Sequence, residues 1–513
     1  MTGRLVTGTL LFNDGAPCVG ARVLATLAGA DEFLSDGGVV AGKAAAMTDS
    51  RGQWAMYLTA NSSLEPAGGA WLIAATPPGY DIPISEVYVA VPDVPGPHQV
   101  DDVVVDAPGG SLRYDPPAGA VLPQQFGAKA DGTSDDTGAI NDAIESAISR
   151  GIGAVYLPPG HYLVNGTISI PAPITFAGWW TSQAVAGAPS AGTVLVAGST
   201  STPGAPVLEV ALTGSKVAGV RLERFHVLGA DSWLSSSGAK DRVGVRLKDV
   251  GSEVSMDAVY VSGFQRQGMV FDEVFDAIVV GSRVFFCGAD DGYPAVDVLG
   301  GGADNTNAMH VFGLHVENCP FMLRVDDLSR HVQFVACKFE LFSQSPAHSP
   351  IQILDAVEIE FVGCQFVQRG ADDSGYADSS AQPHMVTVSG ESSVIGFQGC
   401  MFTAAPTATS PLSPSSRWVT QTGGRVKIVG STFNRCWGGA GPVPIDLGSA
   451  AVVNGNYVAV QAVSGNKGAI SLSGGCAVVG NVFDVHGVAS NGTLVVDEGG
   501  GNVIASNATA ESA

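Results

Sequence analysis

From residue 218 onward, the chain repeats a trio of positions: a small residue, a core residue next to it, and a bulky apolar residue two positions further on. The middle position runs Phe225, Val259, Ser282, Leu314, Cys337, Cys364, Cys400, Ser431, Asn456, Asn481 and Asn507, at intervals of 34, 23, 32, 23, 27, 36, 31, 25, 25 and 26 residues. A basal interval of 23–26 residues with occasional insertions is the signature of a three-strand coil that buries itself against its neighbours. The small position is Ala258, Gly281, Gly313, Ala336, Gly363, Gly399, Gly430, Gly455 and Gly480, as expected where a bend or a close backbone approach excludes a side chain. The bulky position is Val227, Val261, Val284, Val316, Phe339, Phe366, Phe402, Phe433, Val458 and Phe483. Strand side chains alternate, so the middle and bulky columns both point inward and stack at about 4.8 Å per coil. Cys337, Cys364 and Cys400 are then core thiols, and Asn456, Asn481 and Asn507 form an amide ladder.

Upstream the pattern changes. Residues 3–106 alternate with a period of two in runs such as RLVTGTLLF, GQWAMYLTA and AWLIAATP, divided by DGAP, DSRG and PPGY turns, which predicts a small β-sandwich over 1–106. The Pro/Gly-dense stretch 107–120 reads as a linker. In 121–164, Asp135 and Asp136 mark a helix start, Ile140, Ile144 and Ile148 recur at a four-residue spacing, and Gly151 marks the end. A short helix laid across the open end of a solenoid covers apolar core and strand edges that would otherwise be exposed. The β-helix itself is expected over 165–513, with insertions at 229–242, 287–308, 368–384 and 404–417.

Composition agrees with an ordered, turn-rich β protein: 67 glycines, 14% charged residues and a positive mean hydropathy. The 48 acidic against 25 basic residues give a net charge of −23, which disfavours nucleic acid or an anionic membrane as partner. No run approaches the ~18 apolar residues of a membrane span, so membrane insertion is not expected, and no signal peptide is visible at the start. The eight cysteines fit no zinc spacing. Without a calcium-type Asp-x-Asp-x-Asp-Gly loop either, neither a metal nor a cofactor is expected.

Between the two inward columns lies an outward one: His226, Tyr260, Arg283, His315, Lys338 and Gln365. Aromatic and basic residues in one row suit a sugar chain through stacking and hydrogen bonding, as well as any carboxylates it carries; a solvated sheet face would also be polar. One outward step further, Glu317 and Glu340 fall on adjacent coils, placed as the acid and base of glycoside hydrolysis. The alternative is an exposed acidic row neutralised by Lys338. The insertions supply other candidates: Asp290 and Asp291 as acids, and Tyr293 and Tyr376 as sugar platforms.

The segment FGAKADGTSDDT…AI…AI…GAVYLPPGHYLV resembles the opening cap of the pectate-lyase-like superfamily, which includes polygalacturonases, epimerases and bacteriophage tailspikes. That resemblance implies an all-β protein: a right-handed parallel β-helix with an N-terminal capping helix. Of the polygalacturonase motifs the chain has only an isolated Asp290-Asp291 pair, so pectinase activity is not expected. The opening VTGTLLFNDGAPCVGARVLATL resembles attachment modules of phage tail proteins. Together these resemblances imply a tailspike or minor tail protein of the virion. Residues 1–110 would contact other tail proteins, and a homotrimer would bind, and perhaps cleave, a host cell-surface polysaccharide. A stand-alone carbohydrate hydrolase, lyase or epimerase and a non-enzymatic adhesive tail component are the competing readings.

Overall fold

A computed structural model describes residues 4–11, 16–28, 43–60, 70–78, 85–94, 97–105, 120–179, 192–198, 202–212, 215–229, 241–288, 292–300, 304–341, 349–369, 384–390, 394–405, 418–438, 443, 445–448, 450–462, 468–486 and 494–512. The chain forms two compact units, Met1–Asp115 and Pro116–Ala513.

In the first unit, strands Arg4–Thr9, Gln53–Leu58 and His98–Gln99 form one sheet. Lys43–Met47, Arg22–Ala28, Ala70–Thr76, Ser85–Val89 and Val104–Val105 form the other. Alternation turns Val6, Trp54 and Met56 of one sheet and Val23, Trp71 and Ile73 of the other into a single buried cluster.

The second unit is the expected right-handed β-helix. Its coils lay strands into three parallel sheets, here I, II and III, of 13, 14 and 12 strands among the described residues. The first full coil is Ala154–Leu157 in sheet I, Gly160–Val164 in sheet II and Ile168–Ile170 in sheet III. The inward columns lie where the repeat places them. On sheet II, Val227, Val261, Val284, Val316, Phe339, Phe366, Phe402 and Phe433 pair in unbroken register. The rings of Phe339, Phe366, Phe402 and Phe433 stack with successive centroid distances of 5.5, 4.6 and 4.4 Å. A second stack, Phe334, Phe361 and Phe397, runs beside it on sheet I at 5.0 and 5.1 Å.

Cys337, Cys364 and Cys400 form one buried axial file of reduced thiols. The amide ladder follows: Asn456 Nδ2 donates to Asn481 Oδ1 at 2.9 Å, and Asn481 Nδ2 to Asn507 Oδ1 at 3.0 Å. Each amide also donates to a backbone carbonyl, of Ile428, Val453 and Val478 respectively, so these polar groups are satisfied inside the coil.

Three details sharpen or differ from expectation. Of the bend and the close approach expected for the small column, the bend is found: a side chain at Gly281, Gly313 or Gly363 would meet nothing within 4 Å. These residues turn the chain from sheet I to sheet II with φ of 55°, 63° and 61°, and Ala258 and Ala336 adopt 51° there, so the requirement is the left-handed conformation. In the helix Thr137–Ser149 the buried face is Ile140, Ala143, Ile144 and Ala147, with Ile148 36% exposed. At about 100° per residue, position 147 returns to within about 20° of 140, whereas 148 lies about 80° away. Asp136 occupies the N-cap position without capping; its carboxylate instead accepts from the Lys129 and Ala130 amides at 2.7 and 3.0 Å.

The insertions depart mainly where sheet II hands over to sheet III. Residues 230–240, 370–383 and 406–417 of three expected insertions lie outside the described residues. The expected insertion 287–308 is two shorter connections, because Val296–Leu299 is a sheet III strand. At the root of the first insertion, fully buried Arg242 donates to the carbonyls of Val164, Gly198 and Pro206 at 2.6, 3.3 and 2.9 Å. It thereby ties consecutive coils together at that corner.

Candidate functional site

The outward row of sheet II is continuous: His226, Tyr260, Arg283, His315, Lys338 and Gln365 pair coil to coil. One outward step along, Glu317 pairs with Glu340. Glu317 ends its strand, and Glu340 lies one residue from the end of its own, on the side from which the II-to-III connections leave.

Around these two acids the row gathers into a cluster. His315 Nε2 lies 3.6 Å from a carboxylate oxygen of Glu317 and 3.6 Å from one of Glu340. The Lys338 ammonium is in direct contact with the Glu340 carboxylate. The nearest ligating atoms of His315, Glu317 and Glu340 all lie within 4.8 Å of one another. The side chains of His315, Glu317 and Glu340 are 20%, 13% and 8% exposed, so the cluster is sheltered although it sits on the outer sheet face. The His315 imidazole stands edge-on to Phe285 at 5.8 Å, and its Nε2 has no hydrogen-bond partner among the described residues. One imidazole nitrogen and two carboxylate oxygens are a possible donor set for a divalent ion. Lys338 already sets a cation against Glu340, and its charge opposes a second one.

The other expected residues divide. The Arg283 guanidinium lies over the Tyr260 ring at 5.5 Å, and Tyr260 is nearly buried. Tyr293 stands in a II-to-III connection with Arg266 over its ring at 4.4 Å, so that face is already occupied. Asp290, Asp291 and Tyr376 lie outside the described residues. Asp297 is fully buried in a bidentate pair with Arg324 at 2.8 and 2.8 Å and also accepts from Gln267, a structural role.

His226 departs from the expected exposed row. It is 6% exposed, and its Nε2 lies 2.8 Å from the Ser262 hydroxyl. Burial, with His161 nearby, lowers its pKa to about 4. The unfolded imidazole binds a proton below about pH 6.5 that the folded one refuses until about 4. Stability is therefore complete above about 6.5 and is lost as the pH falls toward 4, by about 3 kcal/mol. We predict that His226→Gln flattens the pH dependence of the unfolding free energy between about pH 6.5 and 4.5 relative to the natural chain. Denaturant titrations at several pH values measure this, and identical slopes in the two proteins would refute it.

Sequence reasoning missed a second polar pair on the same sheet. The Tyr457 hydroxyl donates to the Asp484 carboxylate on the next coil, and Tyr457 is 38% exposed while Asp484 is nearly buried. The same column offsets, carried past Gln365, would have found both.

Residues 123–227 match the family described as rhamnogalacturonase A/epimerase, pectate lyase-like. With three parallel sheets and a capping helix, the chain is of the right-handed β-helix class, and its first coils are similar to a pectate-lyase-like family. Within that class it is 28% identical over 354 residues to a KN3-specific capsule depolymerase of Klebsiella phage KN3-1, a match covering 67% of this chain and 43% of the relative. The chain thus spans less than half the length of that relative. A 43-residue stretch is 56% identical to a mannuronan C5-epimerase of Azotobacter vinelandii, covering 8% of this chain and 4% of that one. Among solved structures, the DFA-IIIase of Arthrobacter chlorophenolicus aligns with a TM-score of 0.52 at 15% identity, covering 75% of this chain and 97% of that one. The Streptococcus pneumoniae surface adhesin PfbA aligns at 0.51 and 12%, covering 73% and 93%. At such identities these two share the fold alone.

Proposed function

We propose that this chain is a phage tail depolymerase that holds a host cell-surface polysaccharide along the outer face of sheet II and hydrolyses it at Glu317 and Glu340. The observation that carries the reading is the sheltered cluster of two carboxylates, an imidazole and an ammonium on adjacent coils. Its support is the similarity to a capsule depolymerase over two thirds of the chain. Arg283, packed on Tyr260, offers guanidinium donors to sugar hydroxyls or carboxylates one coil from His315. In this reading Met1–Asp115 joins the chain to other tail proteins in the virion, and three copies assemble. Exposed Ile278, Val280 and Phe312, 45%, 41% and 39% accessible on neighbouring sheet I strands, are apolar surface that such an assembly would cover.

The test is to incubate the purified chain with a panel of bacterial capsular and wall polysaccharides and weigh the products by mass spectrometry. Oligosaccharides carrying one added water per cleavage are expected. Dehydrated, unsaturated ends would replace hydrolysis by elimination. Tight binding with no product from any glycan would make the protein an adhesin.

A further inference from the structure

The two carboxylates are close enough to decide the stereochemical course of the reaction, an inference that rests on the hydrolytic reading above. A hydrolase that inverts the anomeric centre needs room for a water between its base and the sugar, and its carboxyl groups stand about 6.5–9.5 Å apart. One that retains configuration attacks the sugar with the carboxylate itself, and its pair stands about 5–5.5 Å apart. Here the nearest oxygens of Glu317 and Glu340 lie within 4.8 Å of one another, short of the spacing of an inverting pair, and His315 Nε2 sits 3.6 Å from each side chain. The spacing is built into the backbone, since Glu317 and Glu340 are direct register partners on adjacent coils.

We infer that the site cleaves its glycan with retention of configuration, through a covalent glycosyl ester on Glu340. The ammonium of Lys338 pairs with Glu340 and marks it as the anionic member, while Glu317 pairs with the His315 imidazole and with no ammonium or guanidinium among the described residues. In the first step a Glu340 oxygen forms a bond to the anomeric carbon as the bond to the leaving oxygen breaks, and Glu317 delivers its proton to that oxygen. In the second step Glu317 takes a proton from water. The water oxygen bonds to the anomeric carbon, and the ester bond to Glu340 breaks, restoring both carboxyl groups. Two inversions return the starting configuration, and the sum is addition of one water. Lys338 and His315 act as positioning residues that hold the two acids at this spacing.

The experiment uses the full chain and a polysaccharide that it cleaves in the product assay. Proton NMR in the first minutes, before mutarotation, is expected to show new reducing ends in the anomeric configuration of the cleaved bond. Methanol added to the reaction should yield methyl glycosides of that same configuration. Sodium azide should convert the glycan on Glu340→Ala to a glycosyl azide of opposite configuration, and on Glu317→Ala to one of the same configuration. Products first formed with inverted configuration, or the two azide outcomes exchanged, would overturn the inference while leaving hydrolysis established. A panel in which nothing is cleaved overturns the proposed function and this inference together, and circular dichroism of each variant separates lost chemistry from lost fold.

Discussion

Glu340→Gln is expected to slow polysaccharide cleavage by about three orders of magnitude or more, with the β-helix intact. The substitution keeps the side chain's shape and removes its negative charge, so the expected loss is that of a group acting directly in the bond-breaking step. Glu340 lies on the outer face of sheet II, against Lys338 and His315, and makes no contribution to the stacked interior. The unfolding midpoint should therefore shift little, the released ammonium being 36% exposed and open to water. Binding should survive, because the neighbouring row of Arg283, His315 and Lys338 remains. Reducing-end release and glycan affinity, measured on the same preparation, check both halves. A variant that cleaves within tenfold of the natural chain would remove Glu340 from the mechanism.

Phe402→Ala should cost about 3–5 kcal/mol of stability, the range for truncating a buried aromatic ring. Phe402 is fully buried between Phe366 at 4.6 Å and Phe433 at 4.4 Å, with Phe397 and Trp418 at 5.9 and 5.8 Å across the core. Removing the ring opens a gap between two coils that cannot close, because their separation is fixed by the parallel ladders on sheets I, II and III. In a solenoid each coil is stabilised by its nearest neighbours, so the damage should be local. Amide exchange should accelerate first in the coils of Phe366 and Phe433, and the urea midpoint should fall. A loss below about 1 kcal/mol would mean that the stack is not a principal source of the fold's stability.

The legible part of this protein was its periodicity. Parallel coils in register bring chemically alike positions together, so the columns headed by Phe225 and Val227 could be read from spacing alone, and the outward row His226 to Gln365 followed from strand alternation. Of the two reasons offered for the glycine column, the bend holds and the close approach does not. A small residue in a sequence does not say whether space or a left-handed backbone requires it, and Ala258 and Ala336 at φ of 51° show that it is the backbone. The segment 287–308 looked like one insertion because the strand Val296–Leu299 is short and flanked by glycine and aspartate. His226 and Tyr293 looked like available groove residues, yet one is buried against Ser262 and the other is covered by Arg266.

The coil, its inward and outward faces and the capping helix were readable from residue order alone, since they follow from backbone geometry and the burial of apolar side chains, both local to each repeat. It took the folded chain to show that Glu317 and Glu340 share one imidazole, that Lys338, expected to neutralise the acidic row, settles on Glu340, and that Arg242 clasps the carbonyls of separate coils. Such contacts depend on the distance between coils and on where long side chains come to rest across it, quantities that no spacing along the chain encodes.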